Sequence, residues 1–282
     1  MSAVWRNLWV AGAVVSFVAV ASAQQPQARP KADYQAAAQR VVFSNYTGEF
    51  AQDSRFIEMR KLLLRKRAEI LESIHEITGM PFPQNFQVYV NFQSWAQGGT
   101  YGVTTRNRIN YFIGNILRDR EDPVQILQHE MMHAYLIYYM GGRDRNYPLW
   151  LHEGVASLVG GHGPRFTRRY YLMFRNSLKT DNAEEVAAKL FNGIGVHASA
   201  FDYAEDFLGL LYFQQTWGAE GFKAFIRDIT VGGVPWQTAL MRATKMDWAA
   251  FSQAAKNFSI HYIQEIELSV NQKQPAMPGD PQ

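Results

Sequence analysis

Three residues within five positions, His129, Glu130 and His133, form an H-E-x-x-H motif. Side chains four apart on a helix share one face, so both imidazoles can reach a single zinc ion. The intervening carboxylate then stands close enough to take a proton from a water that the ion acidifies. This chemistry requires a helix, and the flanking residues supply one. In Asp122-Pro123-Val124-Gln125, Asp122 can cap, Pro123 suits the first helical position and Gln125 can reach back. Gly141-Gly142 should end the helix near Met140.

A catalytic zinc takes three protein ligands and keeps one position open. The variant with Gly and then His soon after the motif fails, because Leu136 and Tyr139 occupy those places. Glu153, in Trp150-Leu151-His152-Glu153-Gly154-Val155-Ala156, is the candidate third ligand. Two helices joined by a short loop can set it opposite the histidines, and the small Gly154 and Ala156 would let the second helix approach the first. His152 competes for the role. Neighbouring helical residues point about 100° apart, so one metal cannot easily be faced by both.

With W-x-x-E-G-x-A following H-E-x-x-H, the chain resembles the gluzincin metallopeptidases of the thermolysin-like clan, most closely their bacterial peptidase MA-like branch. The resemblance covers roughly Phe86 to Ile263 and is concentrated in the two motifs. It implies a zincin-like α+β fold. It also implies one Zn2+ held by His129, His133 and Glu153, with Glu130 as general base. It favours Glu153 over His152 as the third ligand. An acidic residue one turn after the ligand Glu orients a ligand histidine in some gluzincins; here Ser157 stands there, which leaves that partner unassigned. For the oxyanion, Tyr203 is the candidate donor, in a Y-A-x-x-F-L-G-L-L-Y run like the family's later helix, and His197 is the alternative. The segment Tyr101 to Ile113 reads as a hairpin. In the clan, an edge strand there binds extended peptide, and Gly98, Gly99 and Gly102 would allow close approach; an ordinary sheet strand fits the sequence equally well.

The rest of the chain must position these groups. Residues 1–23 read as a secretory signal peptide, with an apolar run from Leu8 to Val20 and cleavage after Ala23. Residues 24–33 form a flexible lead-in, 34–270 the metallopeptidase domain and 271–282 a disordered tail. Within the domain, 34–140 should be a mixed α/β lobe with a twisted sheet and the motif helix, and 141–270 a helical lobe. A strand is expected over Arg40–Ser44 and a helix over Phe56–Thr78, its apolar stripe running from Ile57 through Leu63, Leu64, Ile70, Leu71, Ile74 and Ile77. A strand with Phe86, Val88, Val90 and Phe92 on one face follows. Later helices are expected from Pro148 to Gly160, Phe166 to Leu178, Asp202 to Gly218, Phe222 to Thr230, Trp236 to Thr244 and Trp248 to Leu268. Asp202 and Glu205 read as a capping box.

With 28 basic against 25 acidic residues the net charge is +3, and loss of Arg6 with the leader leaves +2. This balance gives no support to nucleic-acid binding. The densest basic run, Arg165, Arg168, Arg169, Arg175 and Lys179, reads as a solvated helix face. There is no cysteine, so the fold owes nothing to disulfides. The sequence therefore points to a periplasmic or extracellular zinc metallopeptidase acting on peptide or protein substrates, without stable membrane insertion after cleavage. Alternatives are a non-catalytic envelope binding module that keeps the fold, or a zinc amidase acting on cell-wall peptides. An aminopeptidase would need carboxylates for a free amine, and Glu205 and Asp206 are available.

Overall fold

The computed structural model describes residues 31–143, 147–180, 182, 184–186 and 202–272; the leader, His197 and residues 273–282 lie outside them. No helix among the described residues is long and apolar enough to cross a membrane.

Helix α1 spans Lys31–Ala38, taking in the last residues of the expected lead-in, and strand β1 spans Val41–Phe43. Helix α2, Ser54–Thr78, starts where Asp53 accepts the Arg55 N–H and stops at Gly79, whose φ of 72° suits glycine. Its buried stripe begins at Phe56 and runs through Met59, Leu63, Ile70, Leu71 and Ile74. Ile57, expected on that stripe, is 37% exposed, because a start at Phe56 satisfies the three-and-four spacing and turns residue 57 outward.

Strand β2, Val88–Gln93, alternates as expected, with Val88, Val90 and Phe92 buried. A short turn at Gln97–Gly99 leads to β3, Gly102–Thr105, and β4, Arg108–Phe112. The four strands lie in the order β1-β2-β4-β3, parallel except for the β3–β4 pair, so β3 is an antiparallel edge strand. Helix α3, Ile113–Asp119, had no signal in the sequence, because its first four residues are all buried and leave no amphipathic period. Its Asn115 amide donates to the carbonyls of Ala96 and Thr100, tying down the loop that enters β3.

Helix α4, Pro123–Met140, carries the motif. Asp122 accepts the Val124 and Gln125 N–H groups at its start, and Gly141 in the left-handed region closes it. Leu127, Met131 and Tyr135 bury one face, and Ile126, Met132, Ala134 and Leu136 bury most of the remainder, so α4 is a core helix. The remaining helices are α5 (Leu149–Gly160), α6 (Gly163–Leu178), α7 (Asp202–Thr230), α8 (Trp236–Thr244) and α9 (Trp248–Gln272). Gly218, at φ 73° and ψ 172°, breaks α7 at the expected point. Trp150 of α5 lies against Trp236 and Trp248, with ring centroids 5.5 and 5.0 Å away, which locks α5 onto the two C-terminal helices. The architecture is mixed α and β, a small sheet followed by many helices. Arg165 and Arg169 do not form a purely solvated face, since both pair with Glu121.

Candidate metal centre

His129 and His133 stand one turn apart on α4, with their Nε2 atoms 3.1 Å from each other. Helix α5 brings in Glu153, whose Oε2 lies 3.4 Å from His129 Nε2 and 3.5 Å from His133 Nε2. Ligand atoms roughly 2.0–2.1 Å from a tetrahedral zinc are separated by about 3.3–3.4 Å, so these three atoms outline one face of such a site. Among the described residues, this is the group of histidine and acidic side chains able to hold a metal ion. Among the described residues, the buried Oε2 meets no hydrogen-bond donor of ordinary geometry, which leaves it a lone pair to offer a cation. The residues present therefore fit zinc. His152 is not in the cluster; it lines the adjoining cleft with its ring centroid 6.4 Å from that of His133.

Gly154 serves a different contact from the one expected. A Cβ there would come within 2.5 Å of the Asp206 carbonyl oxygen, so the missing side chain at this position makes room for α7 against α5. The packing fixes the helix turn that carries Glu153.

Glu130 is 5% exposed and lies between α4 and β3. Thr104 Oγ1 stands 2.6 Å from its Oε2 and 3.0 Å from its main-chain oxygen. Gly102 faces the same carboxylate: a Cβ would sit 2.6 Å from Cγ, Cδ and Oε1. The space expected for a peptide beside Gly102 is on its side-chain face already taken by Glu130. A Cβ at Gly98 or Gly99 would meet nothing within 4 Å, so these two glycines border open space.

These groups line a cleft of about 710 Å³, with Tyr101, Val103, Ile126, Ile137, Phe166 and Tyr170 as apolar and aromatic wall. Tyr203 also lines it and is 37% exposed. Burial and the Glu153 carboxylate push the Tyr203 phenol up to about 12, so it stays a proton donor at neutral pH. Burial opposes ionisation of Glu153, but His133 and His129 outweigh it and hold the carboxyl well below its usual range. Burial likewise opposes the charging of His133, yet the Glu153 carboxylate raises it above its ordinary value.

His162, at the turn into α6, was not singled out by the sequence. Its ring centroid is 4.7 Å from that of His129. Burial and the neighbouring His129 depress it to about 2, so it forms a neutral wall of the site. Ser157 is buried, and among the described residues neither its Oγ nor His129 Nδ1 has a hydrogen-bond partner, so Ser157 does not orient that ring. Glu205 and Asp206 are also buried, at 1% and 0%, and do not line the cleft. Burial, Glu153, Glu205 and Asp202 raise Asp206 to about 9, which keeps it protonated at neutral pH.

No protein-family model matches the chain, and no curated protein does. Among solved structures it is similar to an M1 zinc metallopeptidase from Deinococcus radiodurans, in a mutant form bound to a Tyr-Ser-Ala substrate. The two share 18% identity over 68% of this chain and 43% of that one, with a TM-score of 0.41. The chain thus spans less than half the length of that protein.

Proposed function

We propose that this protein is a zinc-dependent peptidase, exported through the leader at residues 1–23, that cleaves peptide bonds without a covalent intermediate. The observation that carries the reading is the triangle of His129 Nε2, His133 Nε2 and Glu153 Oε2 with edges of 3.1, 3.4 and 3.5 Å, one residue from a buried carboxylate on the same helix. Zinc held there would supply Lewis acidity to a water and to the scissile carbonyl. Glu130 takes the proton of the attacking water and passes it to the departing amine.

The edge strand fits an extended substrate. Phe112 N–H donates to Tyr101 O, and the antiparallel ladder alternates from there. Val103 and Thr105 therefore carry the bonds to β4, while Gly102 and Thr104 turn their N–H and C=O groups to the edge that no described strand pairs with. A peptide paired to that edge lies along the cleft beside Glu130.

Tyr203 is assigned as donor to the oxyanion. Tyr203→Phe is expected to lower kcat by about 10²–10³-fold with KM little changed, since the bond forms as charge develops. Steady-state kinetics on one fluorogenic peptide checks this, and a change confined to KM would reassign Tyr203 to substrate binding.

The reading itself is tested on full-length mature protein. Metal analysis should find about one zinc per chain, and peptide-library cleavage should vanish on chelation and return with zinc. Less than about half an equivalent after mild reloading would count decisively against it.

A further inference from the structure

We propose that Thr104 is a positioning residue for Glu130, so that the strand lining the cleft also aims the general base. The inference rests on the peptidase reading above. A threonine hydroxyl has one proton to give. Among the described residues, both acceptors within reach of it, Oε2 at 2.6 Å and the main-chain oxygen at 3.0 Å, belong to Glu130. The shorter contact falls in the range of strong hydroxyl-to-carboxylate bonds. Among the described residues, no other group is hydrogen-bonded to this carboxylate.

The bond sorts the two oxygens. Oε2 is engaged by β3, which leaves Oε1 to receive the proton. The absence of a side chain at Gly102 lets strand and carboxylate meet at all, for a Cβ there would overlap Oε1 and Cδ. Helix α4 alone would leave Glu130 several rotamers, of which one serves the reaction. The edge of β3 that can pair with a peptide and the face that holds Glu130 belong to the same two residues, Gly102 and Thr104. Docking of an extended peptide would stiffen the strand that aims the base.

Thr104→Val keeps shape and strand preference and removes the donor; Thr104→Ser restores it. For Thr104→Val, kcat should fall about 10- to 100-fold, with KM within about twofold and a full complement of zinc. Thr104→Ser should recover to within about threefold of wild type. A second readout needs no turnover. Crystal structures of the metal-free proteins should show the Glu130 carboxylate fixed against β3 in wild type and Thr104→Ser, and displaced or in several rotamers in Thr104→Val. Unchanged kcat in Thr104→Val, a loss confined to KM or zinc content, a serine variant as slow as the valine one, or an unmoved carboxylate would each overturn the proposal. Wild type that cleaves no peptide, together with a displaced carboxylate in Thr104→Val, would overturn the peptidase reading and leave the positioning role standing.

Discussion

Glu130→Gln is expected to reduce peptide hydrolysis by about 10²–10⁴-fold while zinc content and fold are retained. Glutamine has the shape of glutamate and a comparable helix preference, so α4 should be undisturbed. Its side-chain oxygen can still accept the Thr104 hydroxyl, and Gly102 leaves room for the amide as it does for the carboxylate. Glu130 is not among the three atoms that outline the metal site, so the ion should remain. What disappears is the carboxylate, the group that takes the proton of the attacking water. The loss should therefore fall on kcat, with KM close to wild type, because the proton moves only as the water attacks. Peptide-library cleavage by both proteins at equal zinc content decides the matter. Equal cleavage by the two would remove Glu130 from the mechanism. A lowered zinc content in the variant would instead make it a structural support of the ligands.

The parts of the site that could be read from the sequence are those encoded locally. Asp122, Pro123 and Gly141 bound α4, and a four-residue spacing on any such helix brings two imidazoles together. Pro148 and Gly161 do the same for Glu153 on α5. The sheet was legible where alternation was clean, as at Val88, Val90 and Phe92. Thr104 was not legible, because its role depends on which face of β3 meets α4, and that is set by strand register and helix packing together. Gly154 marks the same limit. A glycine beside a ligand announces a close approach, but it does not name the partner, which here is α7. Helix α3 escaped notice for the opposite reason: burial of its whole first turn, Ile113 to Ile116, erases the periodicity by which helices are recognised. His162 stood alone in a glycine-rich turn, and only the fold brings its ring beside His129.

Glu153→Ala should lower zinc affinity by more than about 100-fold, beyond the roughly 10- to 100-fold that loss of an outer partner costs, and abolish turnover with it. Two histidines on one helix would remain, and His152 cannot step in, being set about 100° around α5 from the vacated position. Adding His152→Ala should change little further; a large additional loss would show that His152 takes over the coordination. The charges of the metal-free protein also give the effect a pH dependence. His133 is raised by Glu153, so its contribution to stability is complete below its unfolded value of 6.5 and is lost as pH rises through the raised folded value. Glu153 is depressed, so its contribution is present above its unfolded value of 4.5 and is lost as pH falls. Both contributions are thus present between 4.5 and 6.5, where the metal-free protein should gain most from the pair. Zinc requires neutral His133 and must displace that proton, so affinity should climb over the pH range in which His133, raised by Glu153, gives up its proton. In Glu153→Ala the carboxylate that holds the proton on His133 is gone, so the climb should be shallower as well as lower. Competition with a chromophoric chelator across that range measures both quantities. Wild-type affinity in Glu153→Ala would exclude this carboxylate as a ligand, and an unchanged slope would detach His133's proton from it.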